Sequence, residues 1–201
     1  MIQIYSFAFQ DRSDRVRWLL EELQVNYENK MLDRSKNELK SEFYLKLNPM
    51  GRVPTIIDQG QVVFESVGIC LYLADKYQKI KLAPSFDSAE RAAYLQWMVF
   101  SVASLESIVA RMFTFKGKSE SEVQAIKNEV KFQCEILKLA LNSVLEKQTY
   151  LLKSGFSAAD IMMAAVIPGA AEYLMESGSP IERYMKNLMT RPAAIKVHVF
   201  E

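Results

Sequence analysis

Asn48-Pro-Met-Gly-Arg-Val-Pro-Thr55 is the stretch from which the rest of the chain is read. Pro49 closes whatever helix precedes it, and Pro54 opens a strand without a ladder donor of its own. An X-Pro bond is also the ordinary place for a cis peptide. A cis bond at Val53-Pro54 turns the Val53 N–H and C=O outward, where a peptide-like ligand laid antiparallel can pair with them. A proline-bearing edge strand that only deters aggregation has the same pattern, so the segment by itself leaves both readings open.

Downstream, Arg52 to Asp58 and Gln61 to Phe64 read as short strands about a turn at Gln59-Gly60, and Val67, Cys70, Leu71 and Ala74 mark a helix. Upstream, Ile2 to Phe7 is an apolar, β-favouring run. Val16, Leu19, Leu20 and Leu23 then recur at helical spacing behind Ser13 as the expected N-cap. A strand at Val25 to Leu32 and a helix at Lys36 to Leu47 complete the order β-α-β-α-β-β-α, that of a thioredoxin-like α/β domain. The domain is expected over residues 1–78, with a linker at 79–86 that includes Pro84. Residues 87–201 read as an all-α C-terminal domain, because the β signal disappears. Asp87/Glu90, Ser119/Glu122 and Ser157/Asp160 have capping-box spacing there. The helices they open carry Leu95, Met98, Val99 and Val102, then Val130, Cys134, Leu137, Leu141 and Val144, then Ile161 to Ile167. Shorter helices are expected at Ile181 to Met189 and Ala193 to Val199, and Pro168 is expected to kink its run.

Composition narrows the function classes. Across 201 residues, 25 Lys and Arg balance 24 Asp and Glu, so no global field draws nucleic acid or an anionic membrane. MIQIYSF lacks the form of a secretory signal, and no uncharged apolar run approaches the roughly 20 residues of a membrane helix. Cys70 and Cys134 form no CxxC, and His198 is the only histidine, so no metal site is expected and a reducing, cytoplasmic setting is.

Glu65-Ser66 stands where a strand runs into a helix. Ser66 at the N-cap, with free amides and the positive helix pole, suits a carboxylate, and Glu65 suits an adjacent ammonium. An α-amino-acid head carries both groups on one carbon. An ordinary cap beside a surface acid is the plainer alternative. The Ser157 to Asp160 box reads as structural, a cap whose loss costs roughly 1 kcal/mol, occasionally about 2.

RVRWLLEEL (Arg15 to Leu23), NPMGRVPTI (Asn48 to Ile56), FESVGICLYLADKY (Phe64 to Tyr77) and SAADIMMAAVI (Ser157 to Ile167) together resemble the cytosolic glutathione transferases, of bacterial type and no assigned class. The resemblance covers essentially the whole chain. It implies a thioredoxin-like domain, a helical domain and usually a homodimer. It implies that Val53, flanked by Arg52 and Pro54, pairs with the cysteinyl backbone of glutathione, and that Glu65 and Ser66 hold the γ-glutamyl end. No metal cofactor is implied.

The pattern departs at the sulfur. Family members place a Tyr, Ser or Cys near the end of the first strand or the start of the first helix, where it favours the thiolate. Here the Ser or Cys slot falls on Gln10 or Asp11. Gln10 can donate an amide hydrogen bond, whereas an Asp11 carboxylate opposes a thiolate. Arg12, the helix-start amides, a shifted Ser13 or Tyr5 can serve instead, and Tyr5 is spaced one residue too far from the helix. By resemblance, the electrophile pocket lies between the Phe7 to Arg12 loop and the long helix. Phe7, Phe9, Met98, Ser101, Val102 and Leu105 are its candidates, although aromatics and Met at such spacing also build core. The expected activity is transfer of the glutathione thiolate to a small hydrophobic electrophile, in the manner of detoxification. The alternative is a non-catalytic glutathione- or protein-binding module on the same scaffold.

Overall fold

Described in a computed structural model over residues 1–7 and 11–201, the chain forms two compact units: Met1–Ala83 with Pro192–Glu201, and Pro84–Arg191. In the first unit β1 (Ile2–Ser6), α1 (Ser13–Glu22), β2 (Tyr27–Met31), α2 (Glu42–Leu47), β3 (Thr55–Asp58), β4 (Gln61–Phe64) and α3 (Ser66–Lys76) follow in sequence. The four strands lie in the order β2-β1-β3-β4. β1 runs parallel to β2 and antiparallel to β3, which pairs antiparallel with β4. This is the thioredoxin-like arrangement with the expected element order.

Alternation along β1 sends Ile2 and Ile4 to one face and Tyr5 to the other. Ile2, Ile4, Val16, Leu19, Leu20, Ile56, Ile69 and Leu73 are buried to 2% exposure or less. Each such side chain contributes about 1.5–3 kcal/mol on removal from water. Tyr5 meets Tyr44 of α2 at 5.7 Å between ring centroids and Phe43 at 6.1 Å.

Several boundaries differ from expectation for local reasons. The stretch expected as one helix over Lys36 to Leu47 is broken. Asn37 adopts a left-handed conformation (φ 54), a short 3₁₀ turn spans Glu38–Lys40, and Ser41 caps α2 by accepting from the Tyr44 N–H at 3.2 Å. β3 begins at Thr55 rather than Arg52, because the Val53–Pro54 bond is cis and the chain before it leaves the ladder. Ser13 and Ser66 are each the first helical residue, not the N-cap.

Gly51, at φ +58, lies tight against the 3₁₀ turn: a Cβ there would stand 2.8 Å from the Leu39 carbonyl oxygen and 2.9 Å from Lys40 Nζ. The left-handed backbone alone disfavours alanine by about 1–2 kcal/mol. The carbonyl belongs to the main chain and cannot swing aside. Gly51→Ala should therefore cost about 2 kcal/mol, a drop in Tm of about 4–8 °C that a thermal melt will read.

The second unit is helical. It comprises α4 (Arg91–Phe100), a π-helical turn (Ser101–Glu106), α5 (Ser107–Arg111), α6 (Glu120–Leu145), α7 (Ala158–Ala164), α8 (Ala171–Leu174) and α9 (Pro180–Met189). A final helix, α10 (Pro192–Lys196), belongs to the first unit, where residues 87–201 had been expected to form one domain. The reason is packing: Phe200 meets the Trp18 ring edge-on at 5.6 Å, and Lys196 pairs with Glu21 at 2.6 Å.

The Ser119/Glu122 and Ser157/Asp160 capping boxes are both formed. The Asp87/Glu90 box is not; Glu90 instead accepts from the backbone N–H groups of Lys153 and Ser154, at 2.8 and 3.1 Å. Pro168 opens a 3₁₀ turn, Ile167–Ala170, after α7. Arg91–Arg111 is a 21-residue helix with a window of mean hydropathy 1.3, long and apolar enough by composition to cross a membrane. Tyr94, Trp97, Met98, Ser101, Leu105 and Val109 are buried along it, and α4 packs on α7, as in a core helix.

Candidate functional site

Register brings three segments to one end of the sheet. Thr55 pairs with Tyr5 on one side and with Phe64 on the other. Phe7, Val53 and Ser66 each lie two residues beyond these paired positions, past the same end of the sheet.

The segment between α2 and β3 is held from below. Tyr44 Oη donates to the Arg52 carbonyl at 2.6 Å and lies 2.9 Å from Thr55 Oγ1. Asn48 Nδ2 donates to the same carbonyl at 2.8 Å, and Asn48 Oδ1 accepts from the Met50 N–H at 3.1 Å. Burial pushes the Tyr44 phenol upward, so it stays a donor. With Arg52 thus engaged, Pro54 is buried and Val53 half-buried. Neither the N–H nor the C=O of Val53 has a hydrogen-bond partner among the described residues.

Glu65 stands at φ 71, ψ 113, an uncommon conformation for a residue with a Cβ, and its side chain is exposed. Strain of this kind costs of order 1–3 kcal/mol and concentrates at ligand clamps. Ser66 is 5% exposed and accepts from Arg15 Nη1 at 3.3 Å. The first turn of α3 leaves its amides without intrahelical partners, next to that hydroxyl.

The loop before α1 is organised by Asp11. Its carboxylate accepts from the Phe7 N–H at 2.8 Å and the Ser13 N–H at 2.5 Å, and its carbonyl accepts from the Asp14 N–H at 3.1 Å. Asp14 in turn accepts from the Asp11 N–H at 3.1 Å and pairs with Arg17, which also donates to Ser6 Oγ at 3.0 Å. Burial raises the Asp14 carboxyl while the Arg17 charge lowers it. The expectation that helix-start amides face a sulfur is corrected at Ser13 and Asp14, whose amides Asp11 already takes. The Ser13 hydroxyl is fully buried with no hydrogen-bond partner among the described residues. Arg12 is exposed. Tyr5 is 7% exposed, and its phenol has no hydrogen-bond partner among the described residues. Phe7 lies under the Arg34 guanidinium at 3.8 Å. Gln10 and Phe9 lie outside the described residues.

Met98, Ser101 and Leu105 are each 0% exposed, and Ser101 Oγ is turned onto the Met98 carbonyl at 2.7 Å. Contrary to expectation, they offer no surface to an electrophile, because they are core. Among the described residues no three His, Cys, Asp or Glu side chains come together to hold a metal ion.

Sequence reasoning gave no role to Arg15, Lys40 or Tyr44, and took Asn48 only as the start of the proline segment. The signal for Tyr44 was its place in the helix that runs into that segment. Lys40, against Gly51, gave none beyond its charge.

The first unit thus combines a thioredoxin-like sheet with the Val53 segment, Glu65 and Ser66 at one end of it. Residues 2–75 match the family model for the glutathione S-transferase N-terminal domain. The chain is 33% identical to glutathione S-transferase 3 of Schizosaccharomyces pombe over 201 residues, 90% of this chain and 81% of that one. It is 28% identical to the disulfide-bond oxidoreductase YfcG of Escherichia coli over 168 residues, 80% of this chain and 76% of that one. Its fold matches the glutathione transferase URE2P6 from Phanerochaete chrysosporium, solved with oxidized glutathione, at a TM-score of 0.83 and 31% identity over 98% of this chain and 94% of that one. The chain belongs to the glutathione S-transferase family.

Proposed function

We propose that the chain binds glutathione at this end of the sheet and transfers its thiolate to a small hydrophobic electrophile. The observation that carries the reading is the N–H and C=O of Val53, unpartnered among the described residues, at the same end of the β3–β4 hairpin as Ser66. A cysteinyl backbone laid antiparallel satisfies both Val53 groups. The γ-glutamyl head then meets Glu65 with its ammonium and Ser66 with its carboxylate. Arg52 and Pro54 frame Val53, and the Lys40 ammonium, against Gly51, suits the glycyl carboxylate.

Tyr5 is the donor this reading gives to the sulfur. Its phenol, without a hydrogen-bond partner among the described residues, stands on the face shared with Tyr44, whose own hydroxyl is bound beneath Arg52. A hydrogen bond from Tyr5 favours thiolate over thiol, and the thiolate attacks a soft electrophilic carbon while the leaving group departs. A homodimer, working in detoxification, fits the same reading. Besides its buried stripe, α6 carries Phe132, Ile136 and Leu139, exposed at 67%, 54% and 73% on one face.

One observation favours a second reading, a glutathione-binding module without turnover. Asp11 takes the amides that would otherwise stabilise a sulfur.

Calorimetry with reduced glutathione tests binding. Ser66→Ala should weaken it by about 1.5–3 kcal/mol, roughly ten- to a hundredfold, as for a hydrogen bond to a charged group. Unchanged affinity removes Ser66 from the carboxylate site.

A further inference from the structure

We propose that Arg15 is a positioning residue for the glutathione carboxylate, acting through Ser66 and making the site select ligands with a free α-carboxylate. This rests on the glutathione reading above. Arg15 is 4% exposed on α1, and its Nη1 reaches Ser66 Oγ on α3, 51 residues away, at 3.3 Å. Its charge is also felt one turn further along α3, where burial pushes the Cys70 thiol up to about 12 and Arg15 opposes that rise. The guanidinium is therefore tucked against the first turn of the helix.

The N-terminal pole of α3 carries about half a positive charge, and the guanidinium beside it adds to the positive field there. An anion at the helix start is attracted by both. The hydroxyl between them is oriented by the same contact. Ser66 Oγ accepts from Arg15, so its lone pair is used inward. Its own O–H finds no acceptor among the described residues. A ligand carboxylate supplies that acceptor, and a donor polarised by a cation makes the stronger bond.

The test is a cycle between residue and ligand group. Reduced glutathione and an analogue lacking the γ-glutamyl α-carboxylate (γ-aminobutyryl-cysteinyl-glycine) are titrated calorimetrically into the full-length wild-type, Arg15→Gln, Arg15→Lys and Ser66→Ala chains. Arg15→Gln should weaken glutathione about tenfold or more and leave the analogue within about twofold. Arg15→Lys, which keeps the charge without the planar fork, should recover part of the loss. In the Ser66→Ala background, Arg15→Gln should cost less than in the wild type. Equal losses for both ligands, or none, overturn the proposal. If Arg15→Gln does not fold, Arg15→Lys alone decides by the same comparison. A wild-type chain that binds neither ligand defeats the glutathione reading and this proposal with it; one that binds both equally defeats only this proposal.

Discussion

Asp160→Ala should lower the unfolding free energy by about 3–4 kcal/mol, far more than the roughly 1 kcal/mol of an ordinary cap. Asp160 is 0% exposed, and its carboxylate accepts from the Ser157 N–H at 2.8 Å, the Leu151 N–H at 2.9 Å, and the Ser157 and Tyr184 hydroxyls at 3.1 Å. The hydroxyls can turn elsewhere. The two amides cannot, and a buried amide left unpaired costs about 1–3 kcal/mol. Burial pushes the carboxyl up to about 6, although all four donors pull it down. The folded state thus holds this proton more tightly than the unfolded chain. Its contribution to stability is greatest below about pH 4, falls as the pH rises toward 6, and is level beyond. Urea unfolding from pH 4 to 7, followed at Trp97 in the same unit, reads both effects. Asp160→Asn should flatten the slope, and glutathione affinity should be unchanged in both variants while they remain folded. A loss below 1 kcal/mol for Asp160→Ala would show that the loop at Leu151 relaxes around the gap.

Part of this was legible in the sequence and part was not. The Ser157 spacing announces a cap, because a capping box is local in sequence. The Leu151 amide and the Tyr184 hydroxyl join the same carboxylate from 9 and 24 residues away, and no spacing rule connects them. The element order of the first unit was readable from period and breakers, and so was the passage from β4 into α3 at Glu65-Ser66. Arg15 reads as a solvated charge on an amphipathic helix, and only the packing of α1 on α3 turns it onto Ser66. Met98, Ser101 and Leu105 failed for the converse reason. Helical spacing cannot say which of two apolar faces is core, and here Leu95 and Val99, at 39% and 51% exposure, lie on the outer one.

The sulfur donor is where sequence and structure pull hardest against each other. Spacing along the chain disfavours Tyr5, yet its phenol is unpartnered among the described residues beside the Tyr44 that supports Arg52. Tyr5→Phe keeps the ring packing against Tyr44 and Phe43 and removes only the donor. The thiol pKa of bound glutathione should then rise by about one to two units, at 1.36 kcal/mol per unit. Conjugation at neutral pH should fall in step with the lost thiolate, by about ten- to a hundredfold. Arg12→Ala and Ser13→Ala should leave that pKa in place, because Arg12 is exposed and the Ser13 hydroxyl is sealed in the core. Asp11→Asn separates the two roles open to that carboxylate. As a bare like charge near sulfur, its removal would lower the thiol pKa. As the acceptor for the Phe7 and Ser13 amides, its loss should loosen the loop and weaken glutathione binding without lowering the pKa. Ultraviolet titration of the bound thiolate, with a pH–rate profile for each variant, distinguishes these outcomes. A response to Arg12→Ala but not to Tyr5→Phe moves the donor to the start of α1. Glutathione bound by all four variants with no thiolate response leaves a carrier in place of a transferase.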